Sequence, residues 1–369
     1  MNDFMTYFSC IPEPRVKRCR RHELIDILFL SISAVLCGAE GWEEIEDFGH
    51  ARLTWLKRFF PFENGIPKHD TIARVLSRID PEALQRSFIS WINDACKLTD
   101  GEVIAIDGKT VRRSFKKGER KSAIHMVSAW ASQNNLILGQ RKVDSKSNEI
   151  TAIPALLELL DLKGCIITID AMGCQTAIAD TIIKQGADYI LALKGNQGTL
   201  SEDVNHLFAQ ATLPQLKQQH YEEIDTGHGR NEKRCCRQIK IDRQHLPESY
   251  RWPKLNTIIE IEAVREIHGN ITTEKRYYIS SLPLDAKKAG QAIRQHWAVE
   301  NKLHWVLDVT FREDESRIRR GNGAEVMSTL RRITLNLLKN NTTSKASLKR
   351  KRKIAALDEQ LLSDLIKGI

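Results

Sequence analysis

A mixed α/β sheet behind a helical N-terminal region is the architecture this sequence predicts, and three observations carry it. Apolar residues recur at helical spacing through the first hundred positions. At Asp100-Gly101 the period changes from that of helices to that of strands. Beyond it, three strand-like runs are followed in order by helix, strand, helix and strand, the pattern of a sheet with both parallel and antiparallel members.

A chain of 369 residues exceeds one small core and points to two or three domains of about 100–200 residues each. The expected division is a helical domain over 1–100, a sheet domain over 101–340 with an insertion at about 199–285, and a basic tail over 341–369. With 41% hydrophobic and 28% charged residues the composition is globular, and 56 Lys+Arg against 47 Asp+Glu give a net charge of +9 that favours a polyanionic partner. The 8 cysteines include no C-x-x-C pair, and the adjacent Cys235-Cys236 sits in a charged stretch. Neither a zinc module nor a secreted disulfide framework fits, which predicts reduced thiols in a cytoplasmic protein. The apolar run Leu24 to Cys37 is shorter than the roughly 20 residues of a spanning helix and contains Asp26, so no membrane segment is expected. It also begins too far from Met1 for an ordinary signal peptide.

The elements follow in order. A basic arm carries Arg15, Lys17, Arg18, Arg20 and Arg21. Leu24 to Leu36 has helix spacing, Gly38 and Gly41 close it, and "WEEIEDFGHARLTWLKRFF" begins a second helix. Asp70 is placed to cap a short helix Thr71 to Ser77, and Asp80-Pro81 restarts a longer one with proline in the first turn. That pair reads either as an ordinary helical subdomain or as a helix-turn-helix-like DNA reader, with Lys68, His69, Arg74 and Arg78 facing phosphates. "EVIAID", "IHMVSAWAS", "LILGQRKV", "GCIITID" and "DYILALKG" read as strands; "ITAIPALLELLD" and "QTAIADTIIKQG" read as helices. From about Thr199 to Pro283 the pattern loosens into an insertion or an extension of the sheet. Helices at about Ala286 to Leu307 and Gly323 to Leu338 follow, and "TTSKASLKRKRK" reads as a basic linker to a last short helix.

Two carboxylates stand in equivalent places. Asp107 ends "VIAID" and Asp170 ends "CIITID", each a continuously apolar and therefore buried strand, and sites in α/β sheets form at the carboxyl ends of strands. If those strands are neighbours and parallel, the two acids share one small volume and attract a cation such as Mg²⁺ or Mn²⁺. Taken singly, each is also common turn punctuation. On the helix from Ala286, the residues Ala292, Val299, Leu303, Val306 and Leu307 form an arc that packs on the sheet. Glu300 lies at its edge with His296 and His304 one turn to either side, and Asp308 on a neighbouring meridian. The His-Glu-His ladder offers zinc as another reading, without the H-E-x-x-H arrangement. Cations stand near each acid: Lys109, Arg112 and Arg113 after the first, Lys194 at the end of the third strand, and Arg317, Arg319 and Arg320 after the helix. Carboxylates ringed by Lys and Arg suit phosphodiester chemistry, in which two metal ions about 3.5–4 Å apart stabilise the attacking and leaving oxygens. Gly195 to Gly198 is either a plain loop or a source of backbone N–H groups for a phosphate.

The stretches "GAEGWEEIEDFG", "FENGIPKHDTIARV", "VIAIDGKTVR", "KSNEITAIPALLELLDLKGCIITIDAMGCQ", "DYILALKGNQG", "HGR", "RYYISS" and "IRQHWAVENKLHWVLDVTFREDESRIRRGN" span nearly the whole chain. Together they resemble the DDE transposases of bacterial insertion sequences, most closely the H-repeat-associated group. The resemblance implies an RNase H-like catalytic core behind a helical N-terminal domain, with Asp107 and Asp170 as the two aspartates and Glu300 as the glutamate of the triad. It implies two Mg²⁺ or Mn²⁺ ions on those three residues. It also implies double-stranded DNA as partner, both the terminal inverted repeats of an element and the target, and a homodimer that pairs two ends. His228 and Arg230 of "HGR", together with Arg294 and Lys302, join the candidate DNA contacts. Related enzymes often carry a Tyr-Arg-Glu-Lys signature with Arg four residues before the Glu and Lys seven after; His296 and Leu307 occupy those positions here. The expected activity is strand cleavage at the element's ends followed by strand transfer. Its rivals are a DNA-binding protein that keeps the fold without cutting, and a nuclease for RNA–DNA hybrids.

Overall fold

The passage from helices to sheet falls at Asp100-Gly101, where the period of the sequence changes. The computed structural model describes residues 2–115, 123–143, 148–210, 216–227, 230–241 and 244–367. Before the boundary lie α1 (Asn2–Phe8), α2 (Leu24–Leu36), α3 (Trp42–Leu56), α4 (His69–Leu76) and α5 (Pro81–Ala95). The apolar α2 is buried along nearly its whole length, including Asp26, whose carboxyl burial pushes up to about 6. Its hydrophobicity therefore serves the core of the protein, and no helix among the described residues is long and apolar enough to cross a membrane. Asp80 caps α5 as expected, accepting the Glu82 N–H at 3.0 Å with Pro81 in the first turn. Asp70 does not cap α4. The helix begins two residues earlier than expected, after an extended Lys68, because Glu46 of α3 takes the His69 N–H at 2.7 Å, a tertiary contact with no local signature.

The sheet contains β1 (Val103–Thr110), β2 (His125–Ala131), β3 (Leu136–Lys142), then α6 (Glu149–Leu157), β4 (Ile166–Ile169), α7 (Thr176–Lys184) and β5 (Asp188–Leu193). α8 (Gly198–Ala209) leads into β6 (Gln218–Gly227), β7 (Arg230–Lys240), β8 (Thr257–Ile267) and β9 (Asn270–Ser280). All nine strands form one sheet in the order β3-β2-β1-β4-β5-β9-β8-β7-β6. β2 runs antiparallel to β1 and β3, while β1, β4 and β5 are parallel. This 3-2-1-4-5 order with its antiparallel second strand is the RNase H-like core. The loosely patterned stretch between Thr199 and Pro283 is an extension of that sheet: β9 pairs with the edge of β5, and β8, β7 and β6 continue outward as antiparallel neighbours.

Two local expectations change. Asp107-Gly108 is not a turn, because β2 keeps pairing with β1 from Asp107↔Ser128 out to Thr110↔His125 after the parallel partner β4 has ended. The helix from Ala286 is also not continuous: α9 (Ala286–His296) is followed by a π turn over Glu300–His304 and by α10 (Trp305–Val309). α11 (Gly323–Asn340), α12 (Leu348–Leu357) and α13 (Glu359–Ile366) complete the chain. The basic run expected as a linker forms α12, capped by Ser347. Two of its cations are buried and bond to backbone oxygens. Lys351 Nζ donates to Leu338 O at 3.0 Å and Asn341 O at 2.6 Å near the end of α11, and Arg352 donates to Thr310 O and Val35 O. Carbonyls left over at a helix C-terminus favour a cation there.

One apolar core runs from α2, α3 and α5 through β1–β5 to α11 and α13. A smaller cluster lies under α9, where Ala289, Ala292 and Ile293 meet Val103, Ile166, Ile190, Ile259 and Tyr278. The arc expected to pack inward is buried throughout, at Ala292, Val299, Leu303, Val306 and Leu307. A buried ionic knot fastens the segment after α10 to α11: Glu313 accepts from Arg332 Nη1 at 2.9 Å and Ser328 Oγ at 3.0 Å, with Arg331 4.0 Å away. Removing the acid leaves two buried guanidinium groups uncompensated. Glu313→Leu is therefore expected to destabilise the protein by about 3–5 kcal/mol, read from urea denaturation; a loss below about 1 kcal/mol would show the knot to be dispensable.

Candidate active site

The parallel ladder of β1 and β4 pairs Val103 with Ile166 and ends at Ile106 with Ile169. The next residue on each strand is an aspartate. Asp107 and Asp170 are thus brought side by side by register alone, as the two apolar runs predict. Asp107 Oδ1 accepts the Gly108 N–H at 2.9 Å. Asp170 Oδ1 accepts the N–H groups of Met172 at 3.1 Å and Gly173 at 3.4 Å, capping a short 3-10 turn over 171–173. These bonds leave the second oxygen of each carboxylate for other partners.

Glu300 arrives from above the sheet. It opens the π turn, a widened turn of the kind that often marks functional sites because it re-aims the side chains on it. Four residues on, His304 Nδ1 lies 3.5 Å from both Asp107 Oδ2 and Glu300 Oε2. Donor atoms of Asp107, Glu300 and His304 all fall within 4.8 Å of one another, the size of one metal ion's ligand shell. His296 is not part of this group. It is buried with Nδ1 3.0 Å from Thr168 Oγ1 on β4, so the two histidines of the ladder face different surroundings and do not jointly hold an ion.

Electrostatics mark the place as strained for anions. Burial pushes the Asp107 carboxyl up to about 7, its own backbone hydrogen bond opposes this, and the charges of Glu300, Asp170 and Glu149 add to it. Asp170 is raised by burial and then by Glu149, with backbone hydrogen bonds and Lys194 opposing. Burial, helped by Arg332 and Lys109, drives His304 down to about 4, so the imidazole is neutral near pH 7. Its buried Nε2 has no hydrogen-bond partner among the described residues. A half-buried oxygen-rich cluster with surplus negative charge fits a hard divalent cation such as Mg²⁺ or Mn²⁺. Neutral His304 serves as a nitrogen ligand or, carrying the Nδ1 proton, as a donor shared by the two carboxylates.

The expected cations separate into distinct roles. Lys109 is buried, with Nζ 2.7 Å from Asp308 Oδ1 and 2.9 Å from Asp314 Oδ1, so it closes an internal ion pair and Asp308 is committed to it. The pattern of strand alternation turns Lys109 inward, which its place in a run of cations concealed. Arg112 is exposed, with Nε 3.2 Å from Asp314 Oδ2. Arg113, Lys194, Arg317 and Arg320 are exposed. Half-buried Arg319 donates from Nε to Arg113 O at 3.0 Å and lies over the Phe115 ring. Arg294 pairs with Asp225 at 2.9 Å, and Lys302 donates to Asn135 Oδ1 at 2.9 Å. His228 and the side chain of Arg230 lie outside the described residues. In the loop after β5, Asn196 Nδ2 donates to Ala171 O at 2.7 Å and Gln197 Nε2 to Cys174 O at 2.8 Å, bracing the turn that Asp170 caps. A cavity of about 510 Å³ opens beside Asp170, with Lys194, Arg276, His296 and Trp297 in its wall.

Glu149 and His125 were not legible as site residues. Glu149 starts α6 behind its cap Asn148, and His125 starts β2; their side chains meet at 2.5 Å, beside Gly108. The only sequence signal is an Asn-Glu pair at a helix start, which says nothing of what the helix faces.

An RNase H-like sheet with half-buried carboxylates side by side at the ends of its central strands defines a metal-binding α/β enzyme core. The comparison with known families agrees: residues 98–337 match the family described as "Transposase DDE domain", and residues 5–92 match its companion, "DDE_Tnp_1-associated". The chain belongs to the DDE transposase family. It is 47% identical over 369 residues to "Putative transposase YncI" of Escherichia coli O157:H7, covering 99% of this chain and 95% of that protein. It is 46% identical over 372 residues to "H repeat-associated putative transposase YhhI" of Escherichia coli strain K12, covering 100% and 98%. Among solved structures, that of a piggyBac transposase synaptic complex with hairpin DNA aligns with 99% of this chain and 80% of that one, at a TM-score of 0.46 and 11% identity, too slight a likeness to weigh here.

The raised Asp107 has a consequence for stability without metal. The unfolded chain loses this proton near pH 4 while the folded chain holds it to about 7, so the group lowers stability as pH rises through that window. With a chelator present, Asp107→Asn is expected to be more stable than the parent at pH 8, by up to roughly 4 kcal/mol. The gain should shrink toward zero at pH 4. Parallel unfolding curves of the two proteins at both pH values check this, and equal stability at pH 8 would contradict the burial argument.

Proposed function

We propose that this protein is an active transposase that cuts DNA at the ends of an insertion sequence and joins the freed 3′-OH to target DNA. The observation that supports it most is the placing of Asp107 and Asp170 side by side at the carboxyl ends of neighbouring parallel strands, with Glu300 grouped with Asp107, in a chain of the DDE transposase family. Two Mg²⁺ or Mn²⁺ ions on these residues would activate water for strand cleavage and then the 3′-OH for strand transfer, with no covalent protein intermediate. The chain's own part is to hold the ions and keep the acids in place. β1 and β4 hold the aspartates at fixed separation, the π turn brings Glu300 over them, and the Lys109–Asp308–Asp314 pair ties α10 and the segment after it to β1.

The exposed Arg112, Arg113, Lys194, Arg317 and Arg320 supply phosphate contacts on the rim, and the element's terminal repeats and target are the double-stranded partners. Bringing two ends together calls for a homodimer in the DNA complex. Lys109, Arg294, Lys302 and Arg319 already have partners within the protein, and of the rim cations Arg112 is likewise paired, with Asp314, so the contribution of these five to DNA affinity is secondary.

With purified protein and DNA carrying the element ends, nicking should require Mg²⁺ or Mn²⁺, stop with a chelator, and fall to background in Asp107→Ala, Asp170→Ala and Glu300→Ala. Nicking that persists in these variants would sink the assignment. Metal-free DNA binding without nicking in the parent protein would instead indicate a binding protein that has kept the fold, and faster cleavage of an RNA–DNA hybrid would reassign the substrate.

Salt titrations of DNA affinity separate the cations. Lys194→Ala should reduce the slope of log affinity against log salt by about 1, as the loss of one phosphate contact does. Lys109→Met should leave that slope unchanged while lowering stability, because it strands two acids; the opposite outcome would return Lys109 to the DNA.

A further inference from the structure

Gly108 lies inside β1, paired with Val127 and flanked by Asp107 and Lys109. It does not have the positive φ that makes glycine necessary at other positions of the chain. What it provides is room: a Cβ there would lie 2.5 Å from His125 Nε2 and overlap Glu149 Oε1. Those two atoms are 2.5 Å from each other, and the other ring nitrogen, His125 Nδ1, lies 2.8 Å from Thr110 Oγ1. A hydroxyl, an imidazole and a carboxylate therefore form a chain across the strand one residue beyond Asp107. In the neutral ring the arrangement is complete when Nε2–H donates to Glu149 and Nδ1 accepts from the threonine hydroxyl.

The helix that carries Glu149 is positioned for the same place. Asn148 caps α6 by accepting the Ile150 N–H at 3.1 Å, and α6 packs on β2, β3 and the turn over 171–173 that Asp170 caps. Its first residue is thus held beside Gly108, one residue past Asp107. The charge of Glu149 is felt at both Asp107 and Asp170, and at Asp170 it is the foremost of the neighbouring charges. A further acid whose charge raises both aspartates works against folding in the absence of a cation, so the arrangement needs a reason beyond stability.

We propose that Glu149 is a fourth carboxylate of the metal centre, serving the ion shared by Asp107 and Asp170, and that His125 is a positioning residue that holds it. This rests on the two-ion reading given above. Asp107, Glu300 and His304 form one donor group; Glu149 supplies the acid that Asp107 and Asp170 would otherwise lack for the second ion. Gly108 is then explained as the opening through which the His125–Glu149 pair reaches the site. Hydrogen bonds that orient a metal-bound ligand are worth about 10–100-fold in metal affinity, which sets the size of effect expected of His125.

The test is Mn²⁺ binding to the full-length protein without DNA, followed by calorimetry and by electron paramagnetic resonance of the free ion, with thermal unfolding of each variant alongside. The parent should bind two ions. Glu149→Gln, which keeps shape and hydrogen bonding but not charge, should lose or weaken one of them by at least about 10-fold, while Glu300→Gln weakens the other. His125→Ala should weaken the Glu149-dependent ion by about 10–100-fold, and His125→Gln, which retains a donor, should recover part of it. Two ions of unchanged affinity in Glu149→Gln would overturn the proposal, and a lowered melting temperature with both ions intact would assign Glu149 a structural role instead. If Asp107→Asn also binds Mn²⁺ like the parent, the two-ion reading itself fails and takes this inference with it.

Discussion

The parallel pairing of β1 with β4 is the constraint on which the site depends. A side-chain period of two means that a shift of one residue would turn every apolar side chain of β4 to the other face of the sheet, so burial on both faces locks the register. With Ile106 opposite Ile169, the aspartates that follow have no freedom to be elsewhere. Everything else in the site is brought to that point from a distance: Glu300 by a π turn, Glu149 by the start of α6, His125 by the antiparallel β2.

Concentrating acids in a buried place has a cost that the surrounding structure offsets with cations placed just outside. Buried Lys109 faces half-buried Asp308 and Asp314, and Arg331 and Arg332 face Glu313, all three of these buried. These pairs do not neutralise Asp107, which stays protonated up to about pH 7. They hold the segment after α10 against β1 and α11, and so fix where Glu300 can stand. Leaving the carboxylates themselves unpaired keeps a cation favourable there, since a group neutralised by a permanent lysine has little left to offer a metal ion.

Much of the core was legible because its signals are local. Continuous apolar runs ending in Asp107 and Asp170 read as buried strands, and the change of period at Asp100-Gly101 located the sheet. The candidate triad could be assembled from the same runs and from the arc of Ala292, Val299, Leu303, Val306 and Leu307. What misled was chemistry that looks the same in sequence whether it faces inward or outward. Lys109 stands in line with Arg112 and Arg113, yet alternation along β1 buries the lysine while the arginines past the strand's end are exposed. The run Lys349 to Lys353 resembled a solvated linker, and Lys351 and Arg352 instead found carbonyl oxygens to bond.

The sequence by itself determined the class of fold, the two strand-borne aspartates and the helix that carries the glutamate, because hydrophobic period and strand ends are properties of short stretches of chain. Only the tertiary structure decided which groups share the site. His304 reaches Asp107 across 197 residues, and Glu149 and His125 reach the neighbouring Gly108 across 41 and 17; no local pattern encodes such a meeting. It follows from how helices and strands pack once their apolar faces are buried, and from the space that Gly108 leaves open beside Asp107.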